Sequence, residues 1–197
     1  MKVDTRNKKD QILDIAEKLF CNYGSKDTTV RLIAQKANIN TAMLNYYFKS
    51  KENLFVMIFE RRIEQFKTAE KRIDLRNKTA SEELLVYINF FIDLIADHQP
   101  FYKLMMKEKL SNENEKIVTL INSYFKLNRE TLKNIIKRES IYKQADHTDI
   151  ETFIMTISGF LVCLIFKLES ESELVNQRNK NKAKQYLEKV LVSFAVV

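Results

Sequence analysis

Two glycines (Gly24, Gly159) and one proline (Pro100) in 197 residues constrain this chain more than any other feature. Sheets and barrels need turn residues at almost every chain reversal. Their scarcity predicts long helices joined by short loops. Hydrophobic residues make up 45% of the chain and charged residues 30%, enough for a buried core and unlike the composition of a disordered segment. The length suits one large domain, or a small domain joined to a larger one.

Apolar spacing supplies the elements. Ile12, Ile15, Ala16, Leu19, Phe20 and Tyr23 recur every three or four residues, the pattern of an amphipathic helix, and Gly24 then suits a left-handed C-terminal cap. A second helix is expected near Thr28, which is placed to cap it, with Val30, Ile33, Ala34 and Ala37 on one face. After "NIN" comes a short third helix with Met43 or Leu44, Tyr47 and Phe48 inward, and Ile39 is expected in the core beside it. Ser50 is placed to cap a longer fourth helix that buries Leu54, Phe55, Ile58, Phe59, Ile63 and Phe66. Further helical patterns cover about 81–97, 100–110, 113–138, 148–169 and 178–195. Thr148 and Glu151 have capping-box spacing, and "LRNKTAS" and "RESIYKQADH" read as loops. The expected fold is all-α with about nine helices.

The formal charge of +7 is unevenly spread. Residues 1–51 hold ten Lys/Arg against five Asp/Glu, a surplus of five, and the other 146 residues add only two. A basic end points to a polyanion, either nucleic acid or an anionic membrane. Cys21 and Cys163 lie 142 positions apart without metal-ligand spacing, so free thiols and a cytoplasmic location are expected, with Cys163 a small core residue. The polar start "MKVDTRNKKDQ" has no signal-peptide run, and Phe153–Leu168 is shorter than the roughly 20 residues of a membrane span. A buried helix is expected there, and no membrane partner.

Residues 28–48 meet the demands of a DNA-reading helix–turn–helix: a support helix, a tight turn and a short second helix with outward polar side chains. Asn38 tolerates positive φ, and Asn40 is a good N-cap. The outward set is Thr41, Ala42, Asn45 and Tyr46. Asn can bond adenine bidentately, Thr and Ala methyls can meet thymine, and tyrosine hydroxyls reach phosphates. Lys51 falls in the first turn of the fourth helix, where the dipole already favours a phosphate.

In order and spacing, "NYG", "TTVRLIAQKA", "NIN", "LNYYF" and "SKENL" resemble the N-terminal signature of the TetR family of bacterial transcriptional regulators, over about residues 8–60. The resemblance implies a DNA-binding domain at 1–50 and an effector-binding and dimerisation body at 51–197. It implies phosphate contacts from Thr28, Tyr46, Tyr47 and Lys51, and base contacts from Thr41, Ala42 and Asn45. Tyr47 could equally be a core tyrosine with its hydroxyl at the rim. Two positions depart from the family pattern: Asn38 replaces the usual turn glycine, and Asn45 replaces the first aromatic of the recognition helix.

The same resemblance implies a homodimer, a double-stranded DNA operator and a small-molecule effector of unknown identity. Pocket candidates are Phe66, Phe91, Phe101 and Tyr102, followed by Met105, Tyr124, Phe125 and Phe153, although aromatics at helical spacing are often ordinary core. Dimer candidates are Phe160 and Leu164 in the apolar helix, then Leu187, Val190, Leu191 and Phe194 in the last. The functional expectation is a repressor that binds a palindromic operator and is released by its ligand. An enzyme is not expected. Two glycines cannot build a phosphate-cradling loop, and two lone histidines and two distant cysteines form no catalytic or metal constellation, so no cofactor is expected. The rival is a basic peripheral membrane or helix-binding protein with no DNA role.

Overall fold

The structure, a computed structural model, describes residues 8–138, 147–167 and 173–194; the side chains of 147–149, 173–176 and 191–194 lie outside the description. Nine helices are found among the described residues: α1 Lys8–Asp27, α2 Val30–Lys36, α3 Thr41–Phe48, α4 Lys51–Glu70, α5 Ala80–Asp97, α6 Gln99–Ser111, α7 Glu115–Arg138, α8 His147–Lys167 and α9 Glu173–Phe194. The all-α expectation holds, and the expected helices are all present. Thr148 lies within α8 rather than before it, so it is not that helix's cap. Its side chain and most of "RESIYKQADH" lie outside the described residues. A capping box instead starts α5: the Thr79 hydroxyl accepts from the Glu82 N–H, and the Glu82 carboxylate accepts from the Thr79 N–H at 2.8 Å.

The chain forms two compact units. The first comprises residues up to Gln65 together with Lys103–Ile121; the second comprises Phe66–Tyr102 and the residues from Asn122 onward. In the first, Ile12, Ala16, Phe20, Ile33, Leu44, Phe48, Leu54 and Ile58 are fully or almost fully buried. Phe20 and Phe55 meet at 4.4 Å between ring centroids, tying α1 to α4. Tyr23, placed inward by spacing, is exposed: it directly precedes Gly24, where the chain leaves helical geometry (φ 78°, ψ 176°). Glu17 lies on the buried face of α1 among apolar side chains, and Arg61 and Arg62 of α4 answer it. Arg62 pairs with Glu17, Arg61 reaches Glu17 at 3.4 Å, and Arg61 also pairs with Asp14 at 2.8 Å. A buried carboxylate is tolerated when cations and hydrogen bonds surround it in this way.

In the second unit, α5 packs against α8 and α9. Ile88, Ile92 and Ile95 of α5 and Ile154, Ile157 and Ile165 of α8 are buried, and Lys180 and Lys184 of α9 pair with Asp93 and Asp97. Cys163, expected in the core, is exposed. An all-apolar helix gives no periodic signal for which side turns inward, and here Cys163 falls on the outer one.

Candidate nucleic-acid interface

Local hydrogen bonds fix the geometry of residues 28–53. The cap of α2 is Thr29, not Thr28: the Thr29 hydroxyl accepts from the Leu32 N–H at 3.1 Å. Thr28 has no exposed surface, and its hydroxyl lies 2.7 Å from the Gly24 carbonyl and 3.2 Å from that of Leu19. The phosphate contact expected of Thr28 is therefore corrected, because its donor is spent on closing the end of α1. Thr29, one residue on, is exposed.

The turn between α2 and α3 works as anticipated. Asn38 has φ 50°, and the neighbouring Ile39 N–H donates to the Ala34 carbonyl at 3.0 Å. Ile39, expected in the core, is only half-buried. Asn40 caps α3, its side-chain oxygen accepting from the Met43 N–H at 2.7 Å. Lys49, with φ 68°, ends α3. Ser50 then accepts from the Asn53 N–H at 3.0 Å and so caps α4, while the Asn53 amide donates back to the Phe48 carbonyl at 2.9 Å.

This frame holds α3 by two buried side chains, Leu44 and Phe48, and leaves its other face free. Thr41, Ala42, Asn45 and Tyr46 are all exposed, Tyr46 at 74%. Tyr47 is half-buried, in an edge-on contact with Tyr46 at 5.4 Å, and the Lys49 ammonium sits 5.9 Å from the Tyr46 ring. Met43 is exposed as well, which settles the inward choice on Leu44. Lys51 is less free than expected: its ammonium donates to the Ser25 carbonyl at 2.8 Å. Two of its three N–H donors remain for another acceptor. That bond ties the start of α4 to the chain just after Gly24, a link between residues 26 apart that local spacing does not reveal.

The sequence profile described as "Bacterial regulatory proteins, tetR family" matches residues 12–58, which hold α2, α3 and the helices that clamp them. The chain belongs to the TetR family. It is 30% identical over 102 residues to the HTH-type transcriptional repressor NicS of Pseudomonas putida, a match covering 52% of this chain and 48% of NicS. It is 25% identical to the probable HTH-type transcriptional regulator YttP of Bacillus subtilis over 179 residues, covering 89% of this chain and 84% of that protein. Among solved structures, AibR in complex with isovaleryl coenzyme A and operator DNA aligns with a TM-score of 0.72 at 15% identity, over 90% of this chain and 96% of AibR. At that identity the likeness speaks for the fold. With NicS the match spans about half of that protein's length.

As in any TetR-family chain, the residues beyond the matched segment carry the individual character of the protein. In the second unit, Phe66 lies against Tyr102 (5.3 Å, stacked), Phe101 (6.0 Å), Tyr124 (6.2 Å) and His98 (5.2 Å). Four pocket candidates thus meet in one ring cluster. Phe91 contacts Tyr87 at 5.0 Å, Phe125 contacts Tyr124 at 6.0 Å, and Phe153 is buried. Met105 is buried in the other unit and stands apart from this group. Polar side chains that spacing did not single out complete the cluster. The Tyr87 hydroxyl donates to Glu70 Oε1 at 2.7 Å, and the hydroxyls of Tyr102 and Tyr124, Glu70 Oε2 and Asn128 Oδ1 are buried with no hydrogen-bond partner. Burial pushes the Tyr124 phenol up to about 12 and holds those of Tyr102 and Tyr87 well above their ordinary range. Separately, a groove of about 540 Å³ lined by Lys71–Arg76 lies in the connection that follows α4.

The dimer candidates divide. Leu164 and Leu187 are buried inside the unit, so a partner copy would not meet them first. Phe160 and Val190 are half-buried, with Phe160 stacked on Tyr186 at 5.7 Å; the side chains of Leu191 and Phe194 lie outside the described residues. The exposed apolar surface is formed instead by Met155, Val162 and Phe166 of α8 and Tyr186 of α9. Ile150–Lys167 is long and apolar enough to span a membrane by length and composition, and one third of it is buried.

Proposed function

We propose that this TetR-family chain is a ligand-responsive transcriptional regulator: a cytoplasmic repressor that binds a palindromic operator as a homodimer and leaves it when a small molecule occupies the second unit. The observation that carries it is α3, anchored by Leu44 and Phe48 while Thr41, Ala42, Asn45 and Tyr46 project from a helix of eight residues. Such a helix fits a major groove, and its outward residue types suit base edges and phosphates. Asn45 and Thr41 are assigned to bases, Tyr46, Tyr47 and the free donors of Lys51 to the backbone, and Thr29 takes the phosphate role first given to Thr28. The names of NicS, a repressor, and of the AibR complex with operator DNA support the reading.

The homodimer rests on the outer face of α8. Met155, Val162 and Phe166 at 39–64% exposure are an uncovered apolar stripe, and burying such a stripe is what association supplies. A membrane would bury it too, so the rival is testable. Full-length protein should retain labelled duplex DNA, with affinity falling steeply as salt rises, and should not float with anionic liposomes at matched salt. Flotation without duplex retention would replace the DNA reading with the membrane one.

A further inference from the structure

The ring cluster of the second unit is an unfinished binding site. Tyr102 is 3% exposed and Tyr124 not at all, yet neither hydroxyl has a hydrogen-bond partner. Glu70 Oε2 and Asn128 Oδ1 are buried and equally unmet. Buried polar atoms without partners are rare in folded proteins, because each forfeits its hydration for nothing. Four in one neighbourhood call for an explanation, and a missing ligand supplies it.

The inventory of those atoms states the ligand's chemistry. A carboxylate oxygen and an amide oxygen only accept, and a phenol can accept as well as donate. Glu70 has no ion-pair partner among the described residues, while nearby cations are engaged elsewhere. Lys133 and Arg129 of α7 pair with Glu151, and Arg138 pairs with Glu83. Around the acceptors stand the faces of Phe66, Tyr102 and Tyr124, surfaces that attract an organic cation.

Resting on the ligand-responsive reading, we propose that the effector is a hydrophobic organic cation, an amine whose N–H donors are received by Glu70 and Asn128 while its apolar part lies against Phe66, Tyr102 and Tyr124. The Glu70–Tyr87 hydrogen bond orients the carboxylate, leaving Oε2 for the ligand. The competing ligand is an anion, since Lys71 and Arg72 line the groove that follows Glu70 in the chain. Those cations belong to the connection, whereas the buried groups are acceptors, and the buried groups decide what can be held without water.

Three probes of one size separate the alternatives: phenethylamine (cationic at pH 7), 2-phenylethanol (neutral) and phenylacetate (anionic). Calorimetric titration of the full-length chain should give binding of the amine about tenfold or more tighter than the alcohol, the scale of a charge-assisted hydrogen bond. Phenylacetate should be weakest. Glu70→Gln should cancel the preference for the amine over the alcohol, and Tyr124→Phe, which keeps the ring, should weaken both without cancelling it. Circular dichroism establishes that each variant is folded. Phenylacetate binding tightest, no preference among the probes, no binding by any probe, or a Glu70→Gln variant that still prefers the amine would each overturn the proposal. The regulatory reading is scored apart, by operator release. Release by an anion but not by the amine would sink the cation assignment and leave the regulator standing. Tight, Glu70-dependent amine binding that leaves operator affinity unchanged would do the reverse.

Discussion

Thr28→Val separates two meanings of one threonine. The side chain has no exposed surface, and its hydroxyl donates to the Gly24 carbonyl at 2.7 Å, with the Leu19 carbonyl at 3.2 Å. Valine keeps the shape and removes the donor, leaving buried carbonyl oxygens with one partner fewer. An unmet buried acceptor costs about 1–3 kcal/mol, and a chain of this size shifts its melting temperature by about 2–4 °C per kcal/mol. The expected fall is therefore about 2–12 °C, read by circular dichroism at 222 nm. A buried threonine touches no phosphate, so the slope of log affinity against log salt should be that of the unaltered protein at temperatures where both are folded. An unchanged melting temperature together with a salt slope reduced by about one would refute this reasoning and restore Thr28 as a phosphate contact.

Other expectations follow from equally local facts. Gly24→Ala places a side chain at φ +78°, with its Cβ 2.9 Å from the Lys107 ammonium nitrogen. The lysine end can move but the backbone cannot, so a loss of about 1–2 kcal/mol in urea unfolding is expected, mostly from the backbone. Raised pH should unfold the protein. Tyr124 ionises near 10 when unfolded and near 12 when folded, so the stability its neutral phenol contributes is intact below pH 10 and is lost as pH rises towards 12. Urea midpoints between pH 9 and 12 that fail to fall would contradict this. Phe166→Glu puts a charge on the uncovered face of α8, and sedimentation velocity should show a dimer converted to monomer with its circular dichroism intact.

Much of the fold was legible because its signals are local. Apolar spacing located the helices, and Asn40 declared the start of α3 because a cap is a contact between neighbours. The outward face of α3 followed from the inward one, since Leu44 and Phe48 are one helical turn apart and fix its rotation. Failures fell where the deciding contact is distant or where two residues share a chemistry. Thr28 and Thr29 are equally good caps by type, and only the position of the α1 terminus assigns one inward. Cys163 and Leu164 exchanged expected places because an apolar helix has no polar face to orient it. Glu70 and Tyr87 are 17 residues apart on different helices, and no periodicity pairs them. The ring cluster was partly foreseen through its aromatics, whereas its acceptors were found only once the chain was folded.

The central claim is that α3 reads base pairs, and selection from a random duplex pool tests it most directly. The full-length protein should enrich a palindrome whose half-sites lie about 10 base pairs apart, centre to centre, or a multiple of that. Asn45→Ala should enrich the same palindrome with preference relaxed at one position in each half-site. A pool that yields no common sequence, or an Asn45→Ala variant that selects the unaltered site in full, would contradict the account.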